Sequence, residues 1–205
     1  MDAGALLELL LLADTGMPTG AFTGSGGWES AARRGWLTGA AGVDAWLHGF
    51  VVDQLACLEL PVVARAARAA SPWSADRLLD RFAVVAEQRA ESRRAGGRLL
   101  ALAGHPRRPC HRAAATGWLA GRAGIGPLAA CTAHAHATCL GHAQTAVRLG
   151  VIGGDDAIAV VRGLRATIAG AATRAASGRI RPSSAARLEL AGLAHAAVDG
   201  ALFSS

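Results

Sequence analysis

The sequence predicts an all-α domain of about eight helices, on three observations. Apolar residues recur at three- and four-residue steps, most clearly Val43, Trp46, Leu47, Phe50, Val51, Leu55 and Leu58, which is the spacing of one helix face. Glycine, proline and serine punctuate such segments where helices start and stop. No segment alternates with a period of two, and there is no repeat and no low-complexity tract beyond a bias to alanine. At 205 residues, 52% of them hydrophobic and 18% charged, the chain reads as one domain, residues 1–205, with material for a sizeable core.

Residues 3–13 (AGALLELLLLA) are apolar on nearly every face except at Glu8, which predicts a short helix buried on most sides, in the core or in a dimer contact. Met17 to Leu37 is the stretch around which the remaining chain is organised. Pro18 biases Met17 away from the helical region, and Gly20, Gly24, Gly26 and Gly27 admit close approaches and backbone conformations that other residues resist. Ser25 is the expected N-cap of a short helix with Glu29 in its first turns; Gly35 stops it, and Trp36 and Leu37 return to the core. The helix through Val43 to Leu58 should kink or restart at Pro61.

Ser71-Pro72-Trp73-Ser74 breaks the pattern. Ser74 is expected to cap a helix with Asp76 in its first turn, which carries Leu78, Phe82 and Val85 inward and then becomes charged from Glu87 to Arg98. His105 to Pro109 is a loop by its prolines. Two further helices occupy 111–121 and 127–149, with Pro127 in a first turn and Gly150, Gly153 and Gly154 after the second. Asp155 or Asp156 is the expected cap of a helix whose apolar face is Ala157, Val161, Leu164, Ile168 and Ala172. Residues 178–184 read as a linker, followed by a last helix from about Ala185 and a tail from about residue 200, ordered only on a partner.

The formal charge is +6 and the pI about 10.7, yet all 21 cationic residues are arginine, a bias that a GC-rich genome explains. They are spread among acidic residues with no aromatic-interleaved basic stripe, which argues against nucleic acid. The apolar run Leu6 to Ala13 is too short for a bilayer and interrupted by Glu8, and Asp2 and Glu8 do not suit a signal peptide. Four irregularly spaced cysteines suggest reduced thiols, and the expected location is the cytoplasm.

Cys131, His134, His136, Cys139 and His142 form the one cluster that resembles a metal site. All but His136 fall within a ~140° arc of one helix. Steps of three, five and three cannot wrap four donors around one ion, so His134, Cys139 and His142 are weak candidates that need a second helix; a small nickel or zinc carrier is the alternative function this face suggests. Catalytic signatures are missing: no G-x-x-x-x-G-K-[ST] loop, no G-x-S-x-G elbow, no H-E-x-x-H, no C-x-x-C and no evident base for Ser25. The expectation is a protein that is not an enzyme and has no cofactor of its own.

Pro18, Gly20, Ala21, Phe22, Ser25, Gly27 and Glu29, followed by Gly35 and Trp36, resemble the P-x-G-A-F-x-x-S-x-G-x-E…G-W signature of the UreF family of urease accessory proteins. Gly26 and Trp28 depart from it, where Gln and Leu are common. The resemblance continues through Glu91 to Leu100, Leu60-Pro61, Ala146 to Leu149, and Ala186 to Phe203. Two departures remain: Gly150 to Gly154 lacks the family's proline, and Ala201 stands where an arginine usually precedes Leu-Phe. The resemblance implies an all-α homodimer that binds a UreD/UreH-like accessory protein on apo-urease and recruits the UreG-like GTPase, which carries the nickel. It makes Pro18, Gly20, Phe22, Ser25, Gly27 and Glu29 candidates for the contact surface, Glu29 first, then Glu91, Arg93 and Gly97, then Leu202 and Phe203 as an apolar anchor.

Overall fold

The computed structural model describes residues 1–21, 27–82, 85–181 and 190, and every regular element among them is helical. The chain opens with α1 (Ala3–Leu12), capped by the Asp2 carboxylate, which accepts from the Ala5 N–H at 2.8 Å. Next comes α2 (Trp28–Arg33), whose N-cap is Gly27 at φ 91°, not the expected Ser25. Gly35, at φ 69°, closes α2 with the Gly35 and Trp36 amides bonded back to Ala32 and Ala31, and Leu37 turns into the core as expected.

A 28-residue rod, Gly39–Ala66, comes next. It comprises α3 (Gly39–Gly49), a π-helical stretch (Phe50–Glu59) and α4 (Leu60–Ala66). Pro61, in the first turn of α4, has no N–H to give the Cys57 carbonyl, which accepts from the Arg181 amide at 3.0 Å instead. The proline therefore restarts the helix, and the segment leaving the last helix is fastened to the restart. By length and composition this rod would cross a bilayer, but 61% of its most apolar window is buried inside the bundle, which is how a core helix reads.

The rest comprises α5 (Trp73–Asp80), α6 (Ala86–Leu102), α7 (Arg112–Arg122), α8 (Pro127–Arg148), α9 (Gly154–Gly163) and α10 (Arg165–Ala175). At the centre α4, α7 and α8 pack on one another, with α6 on α7 and α9 and α10 on α8. Gly117 and Gly121, one turn apart on α7, let it lie directly on the backbone of α4 at Val63 and Ala67.

Four further expectations are corrected. Instead of being buried on most sides, α1 buries Ala5 and Leu12 but exposes Leu6, Leu7, Leu10 and Leu11 by 45–67%. Ser74 lies inside α5 rather than capping it; the N-cap is Pro72. The segment does not continue as one helix to Arg98: α5 turns Asp76 and Asp80 toward α7, ends, and leaves Phe82 40% exposed. The face from Ala157 to Ala172 is buried as expected, but Leu164 divides α9 from α10, and Asp156 binds the Gly153 N–H from inside the first turn. Of the expected last helix only Leu190, helical and exposed, is described; Ala201, Leu202 and Phe203 lie outside the described residues, as do Phe22, Ser25 and Gly26.

Candidate partner-binding groove

A half-open cavity of about 120 Å³ lies where the organising stretch meets the charged helix. Ala21 and Trp28 contribute from the first, and Glu91, Ser92 and Ala95 from α6. The π-helical stretch adds Phe50, Gln54 and Glu59. Arg112 enters from the start of α7, and Thr138 and His142 from successive turns of α8. Segments far apart in sequence thus share one recess.

Its aromatic side is tightly built. The His142 ring stacks on Trp28 at 5.3 Å and 17°, and stands perpendicular to Phe50 at 4.8 Å. Trp46 backs Trp28 edge-on at 6.2 Å. Burial pushes the His142 imidazole down to about 4, against the pull of Glu59, so the ring is neutral.

The polar side is held by a buried network. Glu59 Oε2 lies 3.2 Å from His134 Nε2. Burial alone would raise the Glu59 pKa, but the hydrogen bond from His134 and the field of Arg112 outweigh it and keep the carboxylate ionised. Burial, reinforced by Arg112, lowers His134. A neutral His134 facing a carboxylate must carry its proton on Nε2 and donate it. Arg112 donates to the Thr138 hydroxyl, and Glu59 and Glu91 support its charge against desolvation.

A second network beside it explains the charged-then-glycine run of α6. Asp76 accepts the His111 N–H at 2.7 Å, just ahead of α7. The Ser92 hydroxyl accepts from the Arg112 amide at 3.3 Å and sits 3.2 Å from His111 Nδ1. His111 Nε2 is 3.3 Å from Asp80 Oδ1, which Arg93 holds at 3.0 Å. Desolvation would raise Asp80, but the hydrogen bonds from Arg93 and His111 outweigh it and lower its pKa, while burial lowers His111. That polarity fixes the tautomer: Nε2–H donates to Asp80 and Nδ1 accepts from Ser92. Gly96 and Gly97 leave no side chain between α6 and the backbone of 108–112; a Cβ on Gly97 would stand 2.6 Å from the Arg108 oxygen.

The candidate contact residues therefore divide. Pro18 and Gly20 are exposed. Gly27 is buried at the head of α2, and Glu29 is 1% exposed, so it does not itself present a surface; its Oε1 holds Arg33 at 3.1 Å, whose side chain is 49% exposed. Glu91 lines the cavity, Arg93 is committed to Asp76 and Asp80, and Gly97 serves packing. Phe22, Ser25, Leu202 and Phe203 lie outside the described residues. Sequence reading missed Phe50, Gln54, Glu59, Arg112 and Thr138 as neighbours. Glu59, a lone carboxylate in the apolar run from Leu55 to Val63, was the available signal.

The histidine and cysteine face of α8 does not converge. Cys131 and Cys139 are fully buried, and burial raises both thiols to about 12, so neither offers a thiolate. Cys131 Sγ donates to the Leu60 carbonyl at 3.2 Å, His134 is occupied by Glu59, His136 is exposed, and His142 is stacked on Trp28. Among the described residues no group of three or more His, Cys, Asp or Glu is placed to hold an ion.

Fold and groove together define a helical protein whose polar residues are spent on shaping a recess. Comparison with known proteins gives that class a family. The model of the UreF family matches residues 37–165, beginning just after the Gly35-Trp36 turn. The urease accessory protein UreF of Rhizobium etli (strain CFN 42) is 31% identical over 98% of this chain and 96% of its own length. That of Pseudomonas putida (strain GB-1) is 42% identical over 48% of this chain, a match spanning less than half (46%) of that relative. This chain belongs to the UreF family.

Proposed function

We propose that the chain serves urease maturation as a non-enzymatic cytoplasmic scaffold. It bridges a UreD/UreH-like protein bound to apo-urease and a UreG-like GTPase, so that GTP hydrolysis is coupled to delivery of nickel, which is the cargo of the GTPase. One observation supports this reading above the rest: the organising stretch and the charged helix α6, two segments whose residues resemble the family's, meet at one recess bordered by buried hydrogen-bond networks. Such investment in a preformed concave surface suits recognition of another protein.

The test is co-expression with the UreD-like and UreG-like proteins and urease of the same source, followed by pull-down and sizing. Wild type is expected to come through in a defined complex, and Glu91→Arg, which reverses a charge in the recess, to reduce recovery at least about tenfold. Equal recovery, or a chain that elutes alone at every nucleotide and nickel condition, overturns the proposal. The homodimer that belongs to this reading has a suitable face in Leu6, Leu7, Leu10 and Leu11 of α1. Leu7→Glu with Leu10→Glu should then halve the mass on sizing; an unchanged mass removes α1 from the interface.

A further inference from the structure

We infer that the cavity between Trp28, Phe50, Glu59 and Glu91 is a socket for one arginine side chain of a partner protein. This deepens the scaffold reading and rests on it.

Charge comes first. Two carboxylates, Glu59 and Glu91, line the cavity with one guanidinium, Arg112, and the neighbouring His142 is neutral, so the lining carries −1. One further monovalent cation brings it to neutrality. Neither an anion nor a divalent ion does so, and behind apolar walls the mismatch would be poorly screened.

Shape and polarity come second. About 120 Å³ is room for several waters, space enough for a guanidinium group with the end of its stem. Trp28, Phe50 and Ala95 offer apolar surface to methylenes, and Gln54 and Ser92 add acceptors beside the carboxylates. An amphipathic side chain with a planar, many-donor head fits that division better than a compact ammonium.

Order comes third. The lining is ordered before the partner arrives: the acceptor Glu59 is held by His134, and the start of α7, which carries the donor Arg112, by Ser92 and Asp76. Little rotamer freedom is left to lose on binding, which is what lets a single side chain anchor an interface.

The probe is N-acetyl-arginine methylamide, titrated against the whole chain while the indole N–H resonance of Trp28 is followed by NMR. The uncharged isostere N-acetyl-citrulline methylamide and the lysine analogue are run alongside. The expected result is a saturable shift with arginine, at least about tenfold weaker binding of citrulline and weaker binding of lysine. Glu59→Gln with Glu91→Gln should abolish the shift. Because Glu59 supports a buried histidine, Glu91→Gln alone is the second variant, expected to weaken arginine severalfold in a chain that still unfolds in one cooperative transition. Absence of a saturable arginine shift, equal binding of citrulline, tighter binding of lysine, or an unaffected Glu91→Gln each overturns the socket. A complex recovered in the pull-down together with a failed titration refutes the socket and leaves the scaffold standing. Arginine binding without any complex refutes the scaffold instead.

Discussion

Gly121→Ala isolates the contact on which the centre of the fold depends. A Cβ built on Gly121 would stand 2.8 Å from the Ala67 carbonyl carbon and 3.0 Å from its Cα, closer still to the oxygen, whereas ordinary van der Waals contact begins near 3.4 Å. The obstacle is backbone of α4, which cannot rotate aside, so α7 must lift. Overpacking by one carbon costs about 1–3 kcal/mol, and the upper end applies when backbone is struck. Alanine returns up to about 1 kcal/mol in helix propensity. The balance is about 2 kcal/mol of destabilisation, or a fall of roughly 4–8 °C in Tm for a domain of this size. Gly154→Ala is the control: it opens α9 with nothing within 4 Å of its Cβ position, so propensity alone acts and Tm should hold or rise. Thermal unfolding followed by circular dichroism gives both numbers. A Gly121→Ala protein melting at or above wild type would refute the backbone contact between α7 and α4.

Acid should destabilise the fold before its carboxylates protonate. His142 falls from an ordinary 6.5 to about 4 in the folded chain, so between those values the unfolded state binds more protons and stability declines as pH drops, by on the order of 3 kcal/mol; melting scans from about pH 7 to 5 should show it, His142→Phe should reduce the slope to the part that the likewise lowered His111 and His134 contribute, and a flat wild-type curve would exclude a buried neutral His142. Cys110, Cys131 and Cys139 are fully buried with thiols raised to about 12, so Ellman's reagent should titrate at most Cys57 in the native chain and all four after unfolding; rapid native labelling of two or more would contradict that packing. Arg33→Ala takes a partner from a buried carboxylate and Glu29→Ala removes that carboxylate, so each should cost about 1–3 kcal/mol of stability in thermal unfolding; if pull-down recovery falls for Glu29→Ala while its Tm stays unchanged, Glu29 touches the partner directly.

The helices were legible because their signals are local. Gly35 at φ 69°, Pro127 in the first turn of α8 and the apolar face from Ala157 to Ala172 each arise from a few neighbouring residues. What escaped depends on tertiary context. The leucines of α1 look like core in one dimension, and only the assembled bundle leaves them uncovered. Ser74 has the chemistry of a cap, but the turn places Pro72 there. Arg93 is as charged as Glu91, yet one faces Asp76 and Asp80 and the other the cavity, a difference set by how α5 packs.

Glu59 shows why the recess itself was not legible. At about 100° per residue an α-helix would place Glu59 about 180° from Phe50 and 140° from Gln54, on the far side of the rod. All three line one cavity because the stretch is wound as a π-helix. That winding ends at Glu59, two residues before Pro61, whose missing N–H leaves the Cys57 carbonyl to Arg181. Arg65 and Arg68 hold the same outgoing segment through the carbonyls of Gly178 and Ala176, at 2.5 and 2.8 Å. The direction of Glu59 is thus set jointly by a proline on its own helix and by the segment running to residue 181. Proline in a core helix usually costs a hydrogen bond; here the carbonyl it leaves open anchors a distant segment, and the winding before it turns a carboxylate into the recess.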